Sequence, residues 1–269
     1  MLGLGTSITS IDCAQIYKEA DEFGNAADLD VWFDFSTLPS SIADGGEVDA
    51  ATNLGAGGAT YNIDSNVDVP TLDRSRAGFG RSSVQFSGTA DEALVMASAY
   101  TTTGKAYTWF LVLYRVDGDN DAVIASAADG AEYFQLRGNG ASIKVAKADM
   151  SSDKTITLNN DSGGTVDYTY QDVSVSGSNG IQVIVYNRTS AGEVNVFNHL
   201  GQHIAVNTNS DVKSAADMTV GALGATSSGS ITDFTGHIGE FGVFDSDIGL
   251  PISEELARNL AVKWGASLI

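Results

Sequence analysis

Residues 107–116 read Tyr-Thr-Trp-Phe-Leu-Val-Leu-Tyr-Arg-Val, a near-continuous apolar run. A run of strand length with so little alternation predicts a central strand buried on both faces. Shorter segments follow it. Ala122–Ser126, Glu132–Arg137 and Ser142–Ala146 predict a meander with turns at Asp129-Gly130 and Gly138-Asn139-Gly140. Gly180–Asn187 and Glu193–Phe197 predict a hairpin, and Gln202–Val206, Met218–Gly221 and Ser230–Phe234 predict later strands. Ser83–Phe86, Ala93–Met96, Thr155–Leu158 and Thr165–Val175 complete the set. Many short strands at roughly 8–12-residue spacing favour a β-sandwich.

The C-terminal segment changes period. His237–Phe244 alternates, which places Ile238, Glu240 and Gly242 on one side and Phe241 and Val243 on the other. Asp245–Gly249 is turn material. Ser253 then precedes Glu254 and Glu255, the pattern of an N-cap with acids in the first helical turn. Leu256, Leu260 and Lys263/Trp264 recur at three and four, one apolar stripe of an amphipathic helix, and Gly265 stops it. At the other end, Ile11–Glu22 predicts a short helix with Asp12 as cap and Ile16, Tyr17 and Ala20 on one face. Residues 39–82 have little periodic pattern; they are either a surface loop system or an insertion carrying small strands. Residues 1–28 therefore read as an N-terminal arm and 29–269 as one domain.

Composition narrows the partners. The 269 residues carry 34 acids against 14 lysines and arginines, a net charge of −20. Binding nucleic acid needs clustered Lys and Arg, and so does an anionic membrane surface. Both are excluded as expected partners. No run approaches the ~20 apolar residues of a membrane-spanning helix. Met1–Ser10 lacks the basic and apolar regions of a secretory signal. Cys13 is the single cysteine, so the chain forms no internal disulfide; it reads as an inert thiol.

Candidate chemistry is sparse. Asp117, Asp119 and Asp121 place three carboxylates on one turn. Calcium takes several oxygen ligands on a flexible loop, which makes this the candidate metal site and calcium the one candidate cofactor. A plain hairpin turn explains the same residues. Glycoside hydrolysis needs two carboxylates on one face, and only Glu240 occupies a well-placed strand position. His199 and His203 flank a Leu200-Gly201 turn between two predicted strands, which argues against a zinc pair. Tyr61, Tyr100, Tyr133, Tyr168 and Tyr170 lie near loop edges, where rings could stack on sugars; the competing reading is cross-strand and core packing.

The closing segment, Gly236, Ile238, Glu240, Val243 and Phe244, then Ser253, Glu254, Glu255, Leu260, Lys263, Trp264 and Gly265, resembles the closing strand and helix of concanavalin A-like, laminin-G-like jelly-roll domains. Val31-Trp32-Phe33-Asp34-Phe35-Ser36 resembles the opening strand of that family, and Ser83–Gly88 the strand before its first long loop. The resemblance implies an all-β, concanavalin A-like jelly-roll sandwich with an N-terminal arm and one C-terminal helix. In that family the position of Glu240 is a framework feature. Such sandwiches host lectins, enzymes and structural modules, so the fold leaves function open.

The opening MLGLGTSIT, running almost directly into a jelly roll, is similar in style to virion proteins of tailed phages. The expectation is a non-enzymatic virion surface protein, a capsid decoration or tail-associated piece, assembled in the host cytoplasm. Its partners would be other virion proteins or copies of itself, and cell-surface glycans. The arm residues Leu2, Leu4, Ile8, Ile11, Ile16 and Tyr17 are the expected interface, because a partner would cover their apolar side chains. A soluble glycan-binding lectin is the alternative, and a degenerate glycosidase or polysaccharide lyase the third reading.

Overall fold

The computed structural model describes residues 17–65, 68–74, 80–88, 92–101, 106–115, 121–126, 132–137, 142–149, 156–157, 170–171, 181–191, 193–207, 219–224 and 234–266. They form two antiparallel sheets. The first runs β14 (His203–Asn207), β13 (Val194–Phe197), β12 (Ile181–Arg188), β6 (Tyr107–Arg115), β16 (Thr235–Phe244), β4 (Ser83–Ser87) and β3 (Thr71–Asp73), with β1 (Leu29–Asp34) also on β16. The second runs β10 (Ile156–Thr157), β9 (Ser142–Asp149), β8 (Glu132–Arg137), β7 (Asp121–Ser126), β15 (Thr219–Leu223), β5 (Leu94–Thr101) and β2 (Ile63–Ser65), with β11 (Tyr170–Gln171) beside β9. One α-helix, α1 (Leu250–Trp264), lies among the described residues. The protein is thus a jelly-roll β-sandwich with a single C-terminal helix.

β6 sits at the centre of its sheet, as its apolar run requires. It pairs with β12 on one side, from Tyr107↔Arg188 to Tyr114↔Ile181, and with β16 on the other. Tyr107, Trp109, Leu111 and Leu113 face the space between the sheets. Phe110 and Val112 face outward, into a second apolar layer with Ile181, Val183, Val185 and the buried stripe of α1. The insertion reading of 39–82 holds: this stretch supplies β2, β3 and a 3₁₀ turn at Gly58–Tyr61.

β16 changes partner along its length. β4 pairs with Thr235–Ile238, and β1 takes over on the same edge from Glu240 to Phe244. At the changeover Gly239 is an extra residue relative to β6, where Ile238 opposes Leu113 and Glu240 opposes Val112. This bulge corrects the simple alternation. Ile238 shares the inner face with Phe241 and Val243. Glu240 points outward beneath α1, with Gly239 also turned toward it. A Cβ on Gly239 would meet the Trp264 ring at 2.7 Å.

The helix begins earlier than its sequence suggests. Gly249, at φ 82°, stands at the N-cap and Pro251 lies in the first turn, so Ser253 is a buried helical residue and not the cap. Proline's fixed φ and absent N–H suit that first turn. The end is as expected: Gly265, at φ 72°, donates to Val262, and Ala266 donates to Ala261. Such a left-handed stop favours glycine. The predicted N-terminal helix is not continued through its second half. Tyr17–Glu19 is non-helical and Ala20–Glu22 is a single 3₁₀ turn; residues 11–16 lie outside the described ones.

Replacing Gly239 by Ala should push the added methyl into Trp264. Overpacking of this kind costs ~1–3 kcal/mol. The expected outcome is a clearly lowered unfolding midpoint in guanidinium, and an unchanged midpoint would remove the bulge's steric role.

Candidate functional site

Where β16 exchanges β4 for β1, Asp34 and Glu240 become register partners on adjacent strands, both facing α1. The C-terminal turn of α1 lays Lys263 over them. Its ammonium lies 2.8 Å from Asp34 Oδ2, and 3.1 and 3.0 Å from the two oxygens of Glu240. A third carboxylate arrives from the N-terminal segment, Glu19 Oε2 at 2.7 Å. Two indoles complete the shell. Trp32 Nε1 donates to Glu240 Oε1 at 2.8 Å, and Trp264 Nε1 donates to Oε2 at 2.6 Å. The rings of Trp32 and Tyr17 lie within 6 Å of the ammonium, close enough for cation–π attraction.

Burial is the largest single influence on both Glu240 and Lys263. Glu240 is fully buried, and burial, reinforced by Asp34 opposite, pushes its carboxyl above the usual range against the pull of Lys263 and the indole N–H groups. For Lys263, burial would lower the ammonium, but Glu240, Asp34 and Glu19 outweigh it and hold it above its ordinary value of 10.5. A lysine this deep is held charged by its carboxylates.

Two carboxylates side by side are the raw material of glycoside hydrolysis. Here none of the four oxygens is open to a substrate. Asp34 Oδ1 accepts from Ser36 N–H and Oγ–H, and Oδ2 accepts from Lys263. Both oxygens of Glu240 are taken by the indoles and Lys263. The framework reading of Glu240 agrees with this geometry. Asp34, Lys263 and the two tryptophans are the partners that sequence reasoning did not assign to it. The signal was present, because Trp32-Phe33-Asp34 and Lys263-Trp264-Gly265 are the opening and closing landmarks of the resemblance.

The other expected residues scatter. Tyr17 is half-buried on its own chain: Arg81 Nη2 donates to its hydroxyl at 2.7 Å. Residues 17–28 lie against their own sandwich. Lys18 exchanges hydrogen bonds with Asn259, and Ala20 and Phe23 are buried in the outer apolar layer. Leu2, Leu4, Ile8, Ile11 and Ile16 lie outside the described residues, as do Asp117 and Asp119 and the side chain of Asp121. Among the described residues no three His, Cys, Asp or Glu side chains cluster as metal ligands. Tyr100 is buried, edge-on to the partly buried Tyr61 at 5.5 Å, so these two rings are core packing and not a sugar platform. Burial raises the Tyr100 hydroxyl pKa well above 10. The side chains of Tyr133, Tyr168 and Tyr170 lie outside the described ones. The turn between β13 and β14 separates the histidines: His203 stacks on Phe197, while His199 is buried at the turn. His237 lies elsewhere, with Nε2 3.0 Å from Asp73 Oδ2.

No family model matches the chain, and no curated protein matches its sequence. Solved structures share the fold. One is domain 4 of AbnA, a GH43 extracellular arabinanase from Geobacillus stearothermophilus, in complex with arabinotriose. It matches at TM-score 0.51 and 13% identity, over 86% of this chain and 98% of that one. The binding domain of Paraclostridial Mosquitocidal Protein 1 matches at TM-score 0.51 and 10% identity, over 80% of this chain and 51% of that one. At such identities the likeness is one of fold.

Losing one member of a buried ion pair leaves the other uncompensated, at ~3–5 kcal/mol. Lys263→Met should cost that much, and adding Glu240→Gln should recover part of it, a non-additivity that denaturant titration of the cycle measures. The sign with pH follows from the raised lysine. Its stabilisation is fully present below 10.5 and is lost as pH rises through the folded-state value. The stability gap between wild type and Lys263→Met should therefore narrow as pH rises above 10.5.

Proposed function

We propose that this chain is a non-catalytic carbohydrate-recognition module. The observation that carries the reading is the sealing of the Asp34–Glu240 carboxylate pair, on adjacent strands β1 and β16, beneath Lys263. Carboxylates whose oxygens are all bonded within the protein offer no free acid or base for glycoside cleavage, which suits this sandwich to holding sugars. The fold supports it further: the sandwich matches nearly the whole length of a domain whose structure holds arabinotriose. The high negative charge disfavours nucleic acid and anionic membrane as partners.

Affinity electrophoresis in gels loaded with neutral polysaccharides, paired with a reducing-end assay on the same substrates, tests this. The expected outcome is retardation by at least one polysaccharide with no reducing ends above a blank. Release of reducing ends that Glu240→Gln abolishes would make the protein a hydrolase, and free migration in every gel would remove sugar recognition.

A separable proposal concerns setting: the module sits on a tailed-phage virion, beside other virion proteins or copies of itself. The apolar side chains of Leu2, Leu4, Ile8, Ile11 and Ile16 support it, as residues a partner surface would cover. Removing residues 1–16 should abolish assembly and keep the fold, whereas removing 1–28 should also destabilise it, because Glu19, Ala20 and Phe23 leave with the segment. Light scattering and thermal melting of the two truncations separate these effects; assembly that survives the shorter truncation overturns the attachment role.

A further inference from the structure

The outer face of the first sheet is covered by α1 over β12, β6 and the second half of β16. It ends differently at the other end of β16. There Thr71 and Asp73 on β3, Gln85 on β4, His237 on β16 and Tyr114 on β6 share one face, because Leu72, Val84, Ile238 and Leu113 between them all point into the core. The register sets these side chains in a row across four adjacent strands: Thr71↔Gln85, Gln85↔His237 and His237↔Tyr114. Three strand spacings make the row about 14 Å long.

The row is polar, with an aromatic end. Gln85 is exposed, and Thr71, Asp73 and Tyr114 are half-buried. His237 forms the floor at 1% exposure. Its ring lies 3.0 Å from the Asp73 carboxylate and edge-on to Tyr114 at 6.0 Å between centroids. A ring held by an acid on one side and an aromatic edge on the other is fixed in orientation, and rigid polar groups bind with less entropic cost.

We propose that this row is the sugar-binding face and that its ligand is a neutral oligosaccharide, its hydroxyls bonded by Asp73 and Gln85 and one pyranose or furanose ring seated against Tyr114. The inference rests on the carbohydrate-recognition reading above and adds the place and the ligand class. Carboxylate and amide groups beside an aromatic ring match a sugar, which offers hydroxyls on its edges and C–H groups on its faces. The neutral class follows from charge. Of the arginines whose side chains are described, the two nearest the row are spent on other groups. Arg74 donates to the carbonyls of Ile42 and Pro39, and Arg81 to the carbonyl of Lys263 and the hydroxyl of Tyr17. Asp73 lies within the row, and the whole chain carries −20. A sialylated or uronic-acid glycan would bring its carboxylate to an acidic face with no described cation to receive it.

The test is a glycan array of neutral and anionic oligosaccharides probed with the full chain, followed by calorimetric titration with arabinotriose, cellotriose, sialyllactose and trigalacturonate. Asp73→Asn and Gln85→Ala are the variants. Gln85 is exposed, so Gln85→Ala should melt like the wild type; Asp73 also holds His237, so the binding of Asp73→Asn is read at a temperature where its own melt shows it folded. The expected result is binding of a neutral oligosaccharide that weakens at least tenfold in each variant, with no binding of the anionic ones. A neutral ligand held equally by wild type and both variants would move the site elsewhere and leave the recognition reading standing. Anionic ligands bound preferentially would overturn the neutral class. An array with no retained glycan would remove the recognition reading and this site with it. For a ligand held by the wild type, shifts of the His237 ring protons on titration give a second readout that needs no variant.

Discussion

Lys263 is the constraint on which the described parts of this protein converge. Its ammonium is buried where the opening strand, the closing strand, the C-terminal helix and the N-terminal segment meet, and each supplies a partner: Asp34, Glu240, Trp264 through Glu240, and Glu19. A charge that deep is tolerable only with its counter-charges in place. Helix α1 can therefore dock in one register on the sheet. An apolar stripe alone would allow it to slide, since Leu256 and Leu260 contact a surface of similar side chains. We read the buried cluster as a device for position more than for net stability.

The same cluster bears on chemistry. Paired carboxylates on neighbouring strands of a sandwich could work as acid and base, and here they work as counter-ions. What separates the two uses is access. Every oxygen of Asp34 and Glu240 is bonded within the protein, and the indoles of Trp32 and Trp264 close the sides. Beyond the end of the helix the sheet face changes character. Large apolar residues give way to Thr71, Asp73, Gln85 and His237, with Tyr114 at the boundary, packed against the apolar layer. One sheet face thus carries both a sealed polar region and a partly exposed one, divided by how far α1 reaches.

The bulge at Gly239 connects these regions. Below it, β16 alternates in phase with β4, which brings His237 outward. Above it, the phase resets with β1, which brings Glu240 outward to meet Lys263. An uninterrupted strand would turn one of the two into the core. Any side chain at 239 would strike Trp264, so glycine is required by the helix that the bulge makes room for.

Much of this architecture was written in the local pattern. The central position of β6 followed from its unbroken apolar run, the β12–β13 hairpin from spacing, and the helix with its Gly265 stop from a three-four stripe, because each depends on neighbours in the chain. The Asp34–Glu240 pair did not, since its members are 206 positions apart and a single inserted residue sets which face Glu240 takes. The helix start was misplaced for a similar reason: a serine before two acids is a good local cap, but Gly249 and Pro251 fix the entry from the preceding strand. Tyr61 and Tyr100 look alike in sequence to loop-edge sugar platforms, and only the closure of the two sheets decides that Tyr100 is interior and Tyr61 packs on it. Periodicity tells which residues share a face of one element; which faces meet, and which stay open to a ligand, is decided by the packing of elements far apart in the chain.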